Sequence, residues 1–209
     1  HHKGRMPVEG AGRLLEYSVA ELASLVRSDS LWESSVGLAT INALLDVDER
    51  EAVEVNAADV IASRGLGRNV VVVGHFPFLE RLRPSTANLW VLELNPREGD
   101  IPAVRASEFL PQADVVAVTG TSLLNGTFDA LMADCRADAF VIVLGATTPL
   151  SPVLFEAGVD AVAGTRVIDL PAVMRAVTQG ATFRQIPGKR LVTIFESGDK
   201  EGAYRSDHK

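Results

Sequence analysis

With a single cysteine, Cys135, the chain cannot form an internal disulfide, which fits a reducing cytosol and leads us to expect a cytoplasmic protein. Basic residues are in deficit, 20 against 27 acidic ones, for a net charge of −7. Such a surface repels phosphate backbones, so nucleic acid is not an expected partner. Long apolar runs are also missing. The longest, at 70–74 and 140–145, end in glycine after the length of one strand, too short to cross a bilayer, and no membrane partner is expected. No signal peptide is visible. The chain opens without methionine, and the His1-His2 pair reads as a tag remnant, so its natural start is expected to be missing. Neither C-x-x-C nor H-x-x-x-H occurs, nor a G-x-S-x-G elbow, so no motif announces a zinc site or a serine nucleophile. Cys135 sits in a helical pattern and reads as a bland thiol.

What the sequence does hold is ample apolar material, 47% of 209 residues, enough for one core plus a small appended unit. Residues 1–55 read as a helical segment. Ser18 with Glu21 three positions on is a capping box. A second helix is expected from Trp32 to Leu45, with Val36, Ala39, Ala43 and Leu44 as its buried stripe. Gly37 within it is tolerable if another backbone or a ligand comes close. Residues 46–54 look like a solvated acidic connector, and Asn56 caps a short helix that Gly65 and Gly67 end.

From Asn69 the rhythm changes. Apolar, strand-length runs at 70–73, 89–94, 114–118, 140–144 and 160–163 are each followed by a Gly, Asn, Thr or Pro loop and usually a helical stretch. That alternation predicts an α/β fold, a Rossmann-like, mostly parallel sheet flanked by helices, over residues 56–198. A final edge strand at 190–195 and a polar tail at 199–209 complete the division.

In such a sheet ligands bind beyond the carboxyl ends of the strands, so the loop residues are the candidates. His75 follows the first run, in Gly74-His75-Phe76-Pro77, as a ligand, a proton-transfer group or a loop-tying residue. Glu93 ends the second run about where Rossmann proteins grip a ribose hydroxyl; a carboxylate inside an apolar run needs a partner. The third loop, Thr119-Gly120-Thr121 through Asn125-Gly126-Thr127, combines glycines that let a ligand approach with hydroxyls that bind it, ahead of a helix whose free amides attract anions. Its bland reading, capping by Asn125 or Thr127, explains one residue but not the density. The fourth loop, Gly145-Ala146-Thr147-Thr148-Pro149, repeats the theme and is expected to face the third. Asp169 reads chiefly as a helix cap, with a metal role as the weaker choice.

These loop strings, with Gly37-Leu38-Ala39, Asn42-Ala43-Leu44 and Gly158-Val159-Asp160 through Asp169, resemble the DUF364 family, for which a role in heavy-metal chelation has been suggested. The resemblance spans about residues 7–170. It implies a Rossmann-like domain joined to an enolase N-terminal-like domain, with the site in the cleft between them and Asn42 beside it. Two departures stand out: the upstream β-rich segment of the family is not evident, and Ala146-Thr147 replaces the usual Pro-Ser of the fourth loop. The expected function is thus handling of a metal ion or metal chelate, a small polar or anionic ligand, with His75, Glu93 and Asp169 as candidate metal ligands. The alternatives are a nucleotide- or S-adenosylmethionine-dependent enzyme, with Glu93 on a ribose, and a scaffold with a vestigial site. Whether a reaction is catalysed stays open, and a homo-oligomer is allowed.

Overall fold

The computed structural model describes residues 8–48 and 50–196; the expected polar tail and the His1-His2 pair lie outside them. Among these described residues seven strands form one sheet: β1 (Asn69–Val73), β2 (Asn88–Glu93), β3 (Ile101–Pro102), β4 (Val115–Thr119), β5 (Phe140–Leu144), β6 (Ala161–Val167) and β7 (Lys189–Phe195). Among the described residues nine α-helices accompany them: α1 (Val19–Ser24), α2 (Leu31–Leu44), α3 (Ala57–Arg64), α4 (Leu79–Leu82), α5 (Ala106–Phe109), α6 (Thr121–Leu124), α7 (Phe128–Asp134), α8 (Val153–Glu156) and α9 (Leu170–Thr178). The strand order is β3-β2-β1-β4-β5-β6-β7, parallel throughout except for β7, which runs antiparallel to β6.

The β-branched runs explain this sheet. A strand covered on both faces must be apolar at every position, and Val70, Val71 and Val72 are wholly buried, as are Val115 to Val118. Successive side chains alternate between two cores. Val71, Val116, Val141 and Val162 pack with Leu110, Phe128, Leu131 and Leu154 on one side. Val70, Val72, Val115 and Ile142 pack with Ile61, Leu79 and Leu82 on the other. No helix among the described residues is long and apolar enough to cross a membrane.

Several local expectations hold. Ser18 and Glu21 form the reciprocal capping box of α1. The Asn56 side chain accepts from the Ala58 N–H at the start of α3. Gly37 lies against the 3-10 turn Leu25–Arg27, where a Cβ would fall 2.0 Å from the Val26 nitrogen.

Three differ. The buried residues of α2 are Ser34, Gly37 and Leu38, while Ala39, Ala43 and Leu44 are exposed. Apolar residues surround this helix, so its pattern fixes no direction; the small residues that admit the neighbouring backbone decide it instead. Ser34 is wholly buried and donates to the carbonyls of Val26 and Leu124, tying α2 to α6. The connector at 46–54 is not simply solvated. Val47 and Ala52 pack on the core, and Val53 exchanges two backbone hydrogen bonds with Thr193, covering part of the β7 edge. Lastly, β3 was not foreseen: two residues, one a proline, carry no periodic signal.

Candidate functional site

The chain leaves β1 for β2 on one side and returns to β4 on the other, so the order reverses between β1 and β4. Their exit loops part there and open a crevice, the usual ligand position in an open α/β sheet. A cavity of about 580 Å³ occupies it. It is lined by Gly74, His75 and Phe76 after β1, by Glu93 and Leu94 at the end of β2, by Thr119 and Thr121 at the end of β4, and by Asn125 and Thr127 before α7. Leu92, Val104 and Leu131 supply apolar surface. Gly74 makes the turn out of β1 with φ +100°, and a Cβ there would crowd Thr119 at 3.2 Å.

His75 is held rather than free to swing. Its Nδ1 lies 3.2 and 3.3 Å from the two carboxylate oxygens of Asp100. The Asp100 side chain is only 5% exposed, and it also accepts from the Arg97 N–H at 3.0 Å. Sequence reasoning missed Asp100. It stands in the turn before β3, and only the parallel pairing of β3 with β2 carries it to the cavity rim.

The other polar side chains are partly engaged with one another. Thr119 and Thr121 share a hydroxyl–hydroxyl contact of 3.0 Å. Asn125 Oδ1 accepts from both the backbone N–H and the hydroxyl of Thr127. The Thr127 N–H also donates to the Ser122 carbonyl, and α7 is seven residues long. The expected capture of an anion by free amides at that helix start therefore finds no support: the dipole is small and the nearest donor is occupied. Glu93 Oε1 accepts from the Leu94 and Asn95 N–H groups, so its partner is the turn that follows it.

The third and fourth loops do meet. The Gly120 N–H donates to the Leu144 carbonyl, and a Cβ on Gly120 would lie 2.5 Å from Thr148 Oγ1 and 2.9 Å from its nitrogen. Yet their side chains do not share one pocket. A second cavity, about 630 Å³, lies between α2 and the exits of β5 and β6. It takes Asn42, Thr147 and Thr148, with Leu124 of α6 in its wall. The Asn42 amide donates to the Thr147 carbonyl at 3.1 Å. Asn42 Oδ1, Thr148 Oγ1 and Thr165 Oγ1 are buried there and have no hydrogen-bond partner among the described residues. Gly126, Gly145 and Pro149 line neither cavity; Gly126 (φ +70°) and Gly145 (φ +131°) turn the loops. The expected single rim is thus two chambers, separated by α6.

The expected metal set does not assemble. Asp169 lines neither cavity; its carboxylate accepts from the Ala172 N–H and caps α9. Among the described residues no three His, Cys, Asp or Glu side chains are grouped so as to hold a metal ion. Cys135 is no substitute. Burial, with the neighbouring Asp134 charge, pushes its thiol up to about 11, and its Sγ donates to the Leu131 carbonyl.

Comparison with known proteins follows the same outline. The chain is 28% identical over 160 residues to an uncharacterized protein of Methanocaldococcus jannaschii, and it spans 62% of that relative's length. A crystal structure of a DUF364 protein of unknown function from Desulfitobacterium hafniense superposes with a TM-score of 0.82 at 30% identity, over 93% of this chain and 81% of that one. A second DUF364 structure of unknown function, from Pyrococcus horikoshii, gives 0.78 at 19% identity over 94% and 79% of the two chains, a likeness of fold. Residues 2–45 match the model of a second family, DUF4213, and residues 56–196 match that of DUF364, both described as "Putative heavy-metal chelation". The second match covers well over half of the chain, which therefore belongs to the DUF364 family.

Proposed function

We propose that this chain binds a small polar metal chelate in the switch-point cavity and handles heavy metal in that bound form, in the cytoplasm. The observation that carries the reading is the cavity's composition: Thr119, Thr121, Asn125 and Thr127 line it together with apolar surface and one histidine. A few convergent polar groups in an otherwise apolar hollow is the usual make-up of a small-ligand site. The descriptions of both matched families support metal as the cargo. The second cavity, between α2 and the sheet, is a separate chamber with its own buried polar atoms, Asn42 Oδ1, Thr148 Oγ1 and Thr165 Oγ1.

Calorimetry and thermal shift against copper, nickel and zinc test this, each metal as the free ion and as its iminodiacetate and citrate complexes. A complex present at about 100 times its Kd stabilises by about 2.7 kcal/mol and raises Tm by roughly 5–10 °C for a chain of this size. Thr121→Val with Asn125→Ala should abolish that rise. Absence of any response to metal or complex would refute the proposal. One observation favours a second reading: Glu93 lines the cavity beside the Gly74 turn, where a ribose would lie in a nucleotide or S-adenosylmethionine enzyme. The same panel with adenine nucleotides and S-adenosylmethionine separates the two, since a response to those alone replaces the first reading with the second.

A further inference from the structure

We infer that the switch-point cavity takes a neutral, coordinatively unsaturated metal complex through one protein atom, His75 Nε2, with Asp100 as the residue that positions it. The inference rests on the chelate-binding reading above and adds the charge of the complex, the donor atom and the residue behind it.

The imidazole comes first. A neutral imidazole carries one N–H and one lone pair, and an ionised carboxylate can only accept. With both Asp100 oxygens 3.2–3.3 Å from Nδ1, the hydrogen belongs on Nδ1 and the lone pair on Nε2. Asp100 is itself fixed, being nearly buried and bound to the Arg97 N–H, so it sets the ring orientation as well as the tautomer. Carboxylates behind metal-binding histidines act in this way, fixing the tautomer and the ring orientation. Nε2 has no partner among the described residues, and His75 lines the cavity.

One nitrogen cannot hold a bare ion. Zinc sites use three or four protein donors, and no group of three exists among the described residues. The ion must therefore arrive with most of its positions filled and one open to His75. Imidazole suits copper, nickel and zinc. The cavity's charge limits the complex further. Glu93 and Asp134 line it, Asp100 backs it, and no lysine or arginine is among the lining residues. A strongly anionic complex would meet carboxylates without a counter-charge, whereas a neutral one does not. The chelator's own oxygens find the hydroxyls of Thr119 and Thr121 in the same cavity.

The test uses the full chain with His1, His2 and His208 changed to alanine, so that His75 is the one imidazole left. The probes are copper(II)–iminodiacetate, which is neutral, and copper(II)–nitrilotriacetate, which carries a negative charge. Pulsed electron paramagnetic resonance reads the remote ring nitrogen of a copper-bound imidazole, and calorimetry reads affinity. The expected result is the signature of one imidazole with copper–iminodiacetate, several-fold weaker binding of the anionic complex, and loss of the signature in His75→Ala. Asp100→Asn should weaken binding by about 10–100-fold and broaden the copper spectrum, while Asp100→Glu restores part of the affinity. Exogenous imidazole should restore complex binding to His75→Gly, which checks that the variant is folded. In the reciprocal chain, with His208 kept and His75 replaced, the complex should bind at least tenfold more weakly. Equal binding there means that any imidazole of the chain serves as well and overturns the inference. So does unchanged affinity and spectrum in Asp100→Asn, or tighter binding of the anionic complex. Binding of the complex without an imidazole signature overturns this inference alone, whereas no binding of any metal or complex overturns the chelate reading with it.

Discussion

Replacing Gly37 by alanine tests the packing of the helical segment in a way that opposes simple propensity. In an exposed helix the change stabilises by about 1 kcal/mol, because alanine is the better helix former. Here the added Cβ would stand 2.0 Å from the Val26 nitrogen, 2.6 Å from its Cα and 2.7 Å from the Leu25 carbonyl carbon. Ordinary contacts are about 3.5–4.0 Å, so α2 and the Leu25–Arg27 turn must separate by roughly 1.5 Å. All three obstructing atoms are backbone, and no side chain can swing aside. Overpacking of this kind costs about 1–3 kcal/mol. The separation also stretches the hydrogen bond from Ser34 Oγ to the Val26 carbonyl, another contribution of about 1 kcal/mol. Against the propensity gain, the net loss is about 1–3 kcal/mol, or roughly 2–12 °C in Tm for a chain of this length. Urea denaturation gives the stability, and hydrogen exchange at residues 19–27 locates the loosening. A Gly37→Ala protein as stable as the parent, with unchanged exchange in α1, would refute the close-approach argument. Ala39→Gly, on the exposed side of the same helix, should cost about 1 kcal/mol by propensity alone.

Two further outcomes are expected. Asp169→Ala removes the cap of α9 and should cost about 1 kcal/mol of stability. It should leave binding of copper–iminodiacetate unchanged by calorimetry, and a loss of binding would return Asp169 to the site. Cys135 should be nearly inert to iodoacetamide at pH 8 in the native protein: with its thiol raised to about 11, about a thousandth of it is thiolate there. The rate should climb towards pH 11, and complete labelling within minutes at pH 8 would contradict the raised position of this half-buried thiol.

Much of this molecule is settled by local chemistry. The valine runs at β1 and β4, apolar at every position, are what strands covered on both faces of a parallel sheet require, so these strands and their direction were legible. The capping box of Ser18, the cap at Asn56 and the cap at Asp169 depend on residues three or fewer positions away, and such contacts survive any tertiary arrangement. The small residues of the strand-exit loops likewise point to a rim at the carboxyl ends of the strands. What only the tertiary structure decided depends on distant pairing. Asp100 meets His75 across 25 positions because a two-residue strand docks beside β2, an event with no periodic trace in the sequence. The facing direction of α2 was open because apolar residues surround it, and it was set by which small residues another backbone could approach. Thr121 and Thr147 look alike as sequence, yet α6, held to α2 through Ser34, stands between the chambers they line. Identity and spacing fix what a side chain can do, whereas which side chains do it together is fixed by the closing of the sheet and the docking of α2.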